Sequence, residues 1–156
     1  MQFVSTRGGA AVLGFSDAVL TGLASDGGLY VPETWPQISH AEIAGYANRP
    51  YAEIAFDIIR RFTGGEIADD ELRQIVEEAY ATFRHPSVTP LVELEPGHFV
   101  LELFHGPTLA FKDVAMQFLS RVMDLILARR GARATIVGAT SGDTGSAAIE
   151  AFRGRP

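Results

Sequence analysis

Apolar positions recur most regularly between Asp69 and Phe83, where Leu72, Ile75, Val76, Ala79, Tyr80 and Phe83 follow the i, i+3, i+4, i+7, i+8, i+11 series of one helix face. Asp69, Asp70 and Glu71 stand at its start, where the helix dipole favours acids. Upstream, Ser39 with Glu42 has the spacing of a capping box. Pro50 can open the next helix, which would place Ile54, Ile58 and Phe62 on one face. Asp26-Gly27-Gly28-Leu29-Tyr30-Val31-Pro32 reads as a tight turn into a short extended segment.

The pattern changes character at His85-Pro86-Ser87-Val88-Thr89-Pro90, which marks the expected boundary between a helix-rich domain over residues 1–85 and an α/β domain over residues 86–156. Beyond it, Phe99–Phe104 predicts a strand. Val114–Ala128 predicts a helix, with Arg129 and Arg130 in its last turn and Gly131 just past its end. The short apolar run Ala134–Gly138 predicts a buried parallel strand, and Ser146–Phe152 the helix after it. This βαβα order implies a layered α/β fold. Two parallel strands make an incomplete sheet for that class, so the rest of the sheet is expected to lie outside this chain.

Composition narrows the function classes. Of 156 residues 47% are hydrophobic and 21% charged, the balance of a soluble globular chain. The net charge of −6, with no basic cluster, speaks against nucleic acid as a partner. No run approaches the roughly 20 apolar residues of a membrane span. With no cysteine, disulfides and thiolate chemistry are excluded, and a cytoplasmic location is the expectation. His40, His85, His98 and His105 share no metal-ligand spacing, so no metal site is expected.

Two segments carry candidate chemistry. The first is His105-Gly106-Pro107-Thr108-Leu109-Ala110-Phe111-Lys112-Asp113, a loop leading into a helix. Lys112 is the only lysine, beside twelve arginines. An ammonium can lose its proton and attack a carbonyl carbon, whereas a guanidinium stays protonated, so arginine cannot replace an imine-forming residue. Leu109 and Phe111, if they wall the site, would disfavour the charged amine. A surface lysine with its stem laid along apolar neighbours fits the same residues. His105 stands as a proton donor or anion contact, or as a structural loop histidine.

The second segment is Gly138-Ala139-Thr140-Ser141-Gly142-Asp143-Thr144-Gly145-Ser146, between a short apolar run and a helix. Glycines there expose backbone N–H groups at a helix start, and hydroxyls join them, an arrangement suited to a carboxylate or phosphate. A plain helix cap by Ser141 or Asp143 in a tight turn accounts for the same residues. Neither a Walker loop nor a G-x-G-x-x-G fingerprint is present.

Together with Ser5-Thr6-Arg7-Gly8 and Asp26–Pro32, the segments Glu102–Asp113 and Thr140–Gly145 resemble, in order, those of the threonine synthase family of fold-type-II pyridoxal-phosphate enzymes. The resemblance runs over nearly the whole chain. Asp143, where cysteine synthases usually carry Asn, leans toward threonine synthase. The resemblance implies pyridoxal 5'-phosphate as cofactor and conversion of O-phospho-L-homoserine and water into L-threonine and phosphate. Lys112 would be the catalytic residue and hold the cofactor, with Phe111 and Asp143 near it. Thr140, Ser141, Gly142, Asp143, Thr144 and Gly145 would grip the substrate carboxylate, and His105 and Thr108 would flank the cofactor or the leaving phosphate. It also implies a helix-rich N-terminal domain followed by the first part of the cofactor domain. The family's glycine-rich phosphate loop and the hydroxyl residue facing the pyridine nitrogen are not found in this sequence, so the chain alone is expected to be inactive. Competing readings are another fold-type-II lyase or phospho-lyase, and a non-catalytic module that binds a small anion. The sequence leaves the oligomeric state open.

Overall fold

The computed structural model describes residues 1–155. Among them the chain is mixed α/β, rich in helix with two small antiparallel sheets. Contacts group the residues into two units, Met1–Gln74 and the residues from Ile75 onward.

In the first unit β1 (Phe3–Ser5) pairs with β2 (Tyr30–Pro32), setting Phe3 opposite Pro32 and Ser5 opposite Tyr30. The Ser5 hydroxyl donates to the Asp26 carboxylate at 2.7 and 2.8 Å, and the Gly9 and Gly28 N–H groups donate to it at 2.8 and 2.9 Å. Asp26-Gly27-Gly28 is therefore a turn organised around one carboxylate. Bonds from the Gly28 N–H first, and from the Ser5 hydroxyl next, hold that carboxyl below its ordinary pKa. A Cβ at Gly28 would collide with the Ser5 hydroxyl, so glycine is required there.

Helix α1 (Phe15–Thr21) packs near α3 (Tyr51–Thr63), and the Phe3 and Phe15 rings meet at 6.3 Å. Helix α2 (His40–Gly45) begins with the expected capping box: the Ser39 hydroxyl accepts from the Glu42 N–H at 3.2 Å, and Glu42 accepts from the Ser39 N–H at 2.8 Å. Helix α3 opens after Pro50, also as expected. Its fully buried residues are Phe56 and Thr63, while Ile54, Ile58 and Phe62 are half-buried.

Helix α4 (Asp69–Tyr80) contributes to both units and buries Leu72, Ile75, Val76 and Ala79 as its periodicity requires. It stops three residues short of Phe83. The Thr82 hydroxyl donates to the Ala79 carbonyl at 2.7 Å and the Phe83 N–H to the Tyr80 carbonyl at 3.2 Å, contacts of a tightening turn, and Pro86 disfavours helical backbone just ahead of it.

In the second unit β3 (Leu91–Glu95) and β4 (His98–Leu101) form an antiparallel hairpin that turns at Gly97, whose φ is 80°. The strand expected at Phe99–Phe104 is thus displaced, and its partner is a neighbouring strand rather than a distant parallel one. Helix α5 (Asp113–Arg130) ends as expected at Gly131, with φ 58° and ψ 29°. Helix α6 (Asp143–Phe152) begins one turn before the expected Ser146. The two helices pack on each other, with Val122, Ile126, Ala147 and Ala151 buried. Arg155 binds Asp124 at 2.7 Å.

The strand expected at Ala134–Gly138 is not formed. The run has no ladder partner among the described residues and lies exposed, Val137 to 90%. A strand exists through hydrogen bonds to a neighbour and is buried by what covers its faces; the run has neither here. The βαβα order of the sequence therefore appears as hairpin, helix, extended segment and helix.

Candidate functional site

The loop from His105 to Asp113 is held from inside. Asp113, the first residue of α5, is fully buried, and its two carboxylate oxygens accept from the Thr108 N–H and the Thr108 hydroxyl, each at 2.8 Å. Gly106 is buried against the same side chain, and a Cβ on it would collide with the Asp113 carboxylate. Leu109 takes a left-handed conformation, with φ 65°, uncommon for a residue bearing a Cβ. The Leu109 N–H reaches the Gly106 carbonyl at 3.2 Å and the Asp113 N–H the Ala110 carbonyl at 3.0 Å, closing the loop on itself.

Lys112 immediately precedes α5. Its Nζ lies 4.5 Å from the centroid of the Phe111 ring, in reach of a cation–π contact. Among the described residues no hydrogen bond or ion pair engages that Nζ. The side chain is half-buried, but Leu109 is 53% and Phe111 54% exposed, so the apolar wall expected around the amine is not closed.

His105 pairs its Nε2 with the Glu102 carboxylate at 2.7 Å, stacks on Phe104 at 4.7 Å, and has the His85 ring 5.1 Å away. Glu102 is a partner that sequence reasoning missed. The signal available was only the i, i+3 spacing, ambiguous outside a helix. Asp113 was missed as an anchor because an acid at a helix start has an ordinary explanation in the helix dipole.

The second loop also organises itself. The Thr140 hydroxyl oxygen accepts from the Gly142 N–H at 3.0 Å and the Gly145 N–H at 3.1 Å. A Cβ on Gly145 would press on that hydroxyl. Gly142 has φ 144°, open to glycine. Thr140, Ser141, Gly142 and Asp143 are exposed, and Thr144 and Gly145 half-buried. Asp143 and Thr144 begin α6, and their N–H groups have no acceptor among the described residues. These free donors at a helix start can receive an anion. Among the described residues no hydrogen bond or ion pair links this loop to the Lys112 loop. A cleft of about 700 Å³ beside Leu127, Ile136 and Phe152 includes none of the expected site residues.

The residues fit a cofactor that bears an aldehyde and is held through an amine: Lys112 is the one primary amine on a side chain, and it is not consumed by an ion pair among the described residues.

Residues 2–80 match the family described as threonine synthase N terminus. A curated threonine synthase from Pseudomonas aeruginosa is 56% identical over 153 residues, covering 98% of this chain and 33% of that protein. Threonine synthase-like 2 of Homo sapiens is 39% identical, over 99% of this chain and 32% of that protein. A crystal structure of pyridoxal-phosphate-bound threonine synthase from Brucella melitensis superposes with a TM-score of 0.97 at 62% identity, covering 100% of this chain and 34% of that one. The chain thus spans about a third of the length of these relatives.

Proposed function

The chain belongs to the threonine synthase family, and from that premise we propose that it supplies the lysine-bearing portion of a pyridoxal-phosphate enzyme converting O-phospho-L-homoserine and water into L-threonine and phosphate. The observation that carries the reading is Lys112: the sole lysine, at the mouth of α5, with its amine free of ion pairs among the described residues. The relative from Brucella melitensis, bound to pyridoxal phosphate, supports the same cofactor.

In this reading residues 1–85 are the family's N-terminal domain and 86–156 the start of the cofactor domain. The amine of Lys112 holds the cofactor through its aldehyde carbon and, when free, moves protons at the substrate carbons. The bound cofactor supplies an electron sink through its pyridine ring. Phe111 lies beside that amine. The N–H groups of Asp143 and Thr144 grip the substrate carboxylate, while Thr140, Gly142 and Gly145 spend their hydrogen bonds on shaping the loop, with Ser141 at its exposed tip. The Asp143 carboxylate cannot bind an anion and belongs toward the cofactor ring. His105, oriented by Glu102, contacts the leaving phosphate; the Thr108 hydroxyl proton is already committed to Asp113. The substrate is a small molecule rather than nucleic acid. Among the described residues no helix is long and apolar enough to cross a membrane, and with the cysteine-free composition the proposed location is the cytoplasm.

Incubation with pyridoxal phosphate followed by borohydride reduction should place one cofactor mass on the peptide containing Lys112, and none there in Lys112→Arg, whose guanidinium is a poor nucleophile. Label found only on the α-amino group would overturn the assignment. A second reading keeps the cofactor and the lysine but ends in a keto acid, since another lyase of the same fold would use the same amine. Product analysis on the complete enzyme separates threonine from keto acid.

A further inference from the structure

We propose that Asp113, acting through Thr108, is a positioning residue that fixes the Lys112 amine. The proposal rests on the reading of Lys112 as the reactive amine. Asp113 has no exposed surface, and an acid placed at a helix start for its dipole alone would remain in water. A buried carboxylate is costly unless its oxygens are bonded, and here both are taken by one residue, Thr108, at 2.8 Å each. The bonds tie the start of α5 to a point five residues upstream, and Lys112 is the residue next to the anchor. Gly106 is bare because the anchor fills the space of its Cβ. Leu109 holds a left-handed φ of 65° within the span that the anchor closes. Strain of this kind persists only where the surroundings over-determine it, and it clusters where geometry serves a site. Four features of one nine-residue segment therefore converge on the direction in which the Lys112 side chain leaves the backbone.

Loosening the anchor releases the amine from the Phe111 face, and the single lysine makes this measurable without turnover. The probe is trace acetic anhydride over a range of pH, with the α-amino group of the same chain as internal reference. Thr108→Val deletes the hydroxyl bond and keeps the volume. It should raise the ratio of Lys112 to α-amino acetylation roughly three- to fivefold, the factor that release from an exposed cation–π contact allows. Asp113→Asn should move the ratio the same way, and Thr108→Ser should restore it. Circular dichroism checks that α5 survives in each variant. A ratio within about twofold of the unaltered protein in Thr108→Val, with α5 intact, overturns the anchor whatever pyridoxal phosphate does. A shifted ratio with no trapping of pyridoxal phosphate on Lys112 leaves the anchor standing and sinks the functional reading instead.

Discussion

Glu42 shows how far a residue's role exceeds its local motif. It closes the capping box on Ser39, and its other oxygen takes a 2.7 Å ion pair from Arg61, which also donates to the Gln37 carbonyl at 2.8 Å. Arg61 first, and Ser39 next, pull the Glu42 carboxyl from 4.5 down to about 2. A folded-state value below the ordinary one means that the group's contribution is fully present above about 4.5 and disappears as pH falls toward about 2. Acid titration followed by NMR should show the Glu42 carboxyl protonating near pH 2, with α2 loosening in step. Glu42→Gln should remove that portion of the acid dependence, and a midpoint near the ordinary glutamate value would show that Arg61 does not hold it. The spacing of Ser39 and Glu42 made the box legible in sequence. Arg61, 19 residues onward, gave no such signal.

Helix α1 makes the same point for an element. Gly14 at its N-cap offers no side chain, so no start signal marks Phe15–Thr21 in the sequence, and the helix was not expected. Its cap comes from Glu66, whose two oxygens accept from the Phe15 N–H at 2.6 Å and the Ser16 N–H at 2.9 Å. Burial opposes the charge on Glu66, yet the bonds from Ser16 and Phe15 prevail and its pKa is lowered. A Cβ at Gly14 would press on the Glu66 carboxylate, which explains the glycine. Glu66→Ala should cost about 1–2 kcal/mol in denaturant unfolding and speed amide exchange at Phe15 and Ser16. Unchanged exchange at both amides would refute the cap. By contrast, the start and buried face of α4 and nearly the whole span of α5 were legible, because a periodic face and a glycine stop are written in adjacent positions. The end of α4, which has no such stop, came three residues earlier than expected. The run Ala134–Gly138 was misread for the opposite reason: apolar and β-branched residues suit a strand, but only a neighbouring strand makes one.

At the scale of the whole molecule, holding a reactive amine is distinct from catalysing with it. Around Lys112 the side chains of Leu109 and Phe111 are about half exposed, and Thr140 through Asp143 lie in solvent. Catalysis needs a site that excludes water and is held rigid by its surroundings. This chain by itself, supplied with pyridoxal phosphate and O-phospho-L-homoserine, should therefore release no phosphate above the background of the cofactor alone, even where Lys112 is labelled by reduction. A phosphate assay showing multiple turnovers would overturn this. The sequence by itself determined the uniqueness of the Lys112 amine and the order of segments resembling the threonine synthase family, which need no geometry. Of the structure, it determined only what is short in range: helix faces, the Ser39 capping box and the Gly131 stop. These last depend on residues a few positions apart, where backbone geometry leaves little choice of neighbour. The tertiary structure alone decided that Asp26 gathers Ser5 and Gly9, that Glu66 caps α1, that Phe99 lies in a hairpin, and that Thr108 is turned inward onto Asp113. Each of these assigns one particular partner to a hydrogen-bonding group, and periodicity, which says only which face is buried, does not specify which group will meet it there.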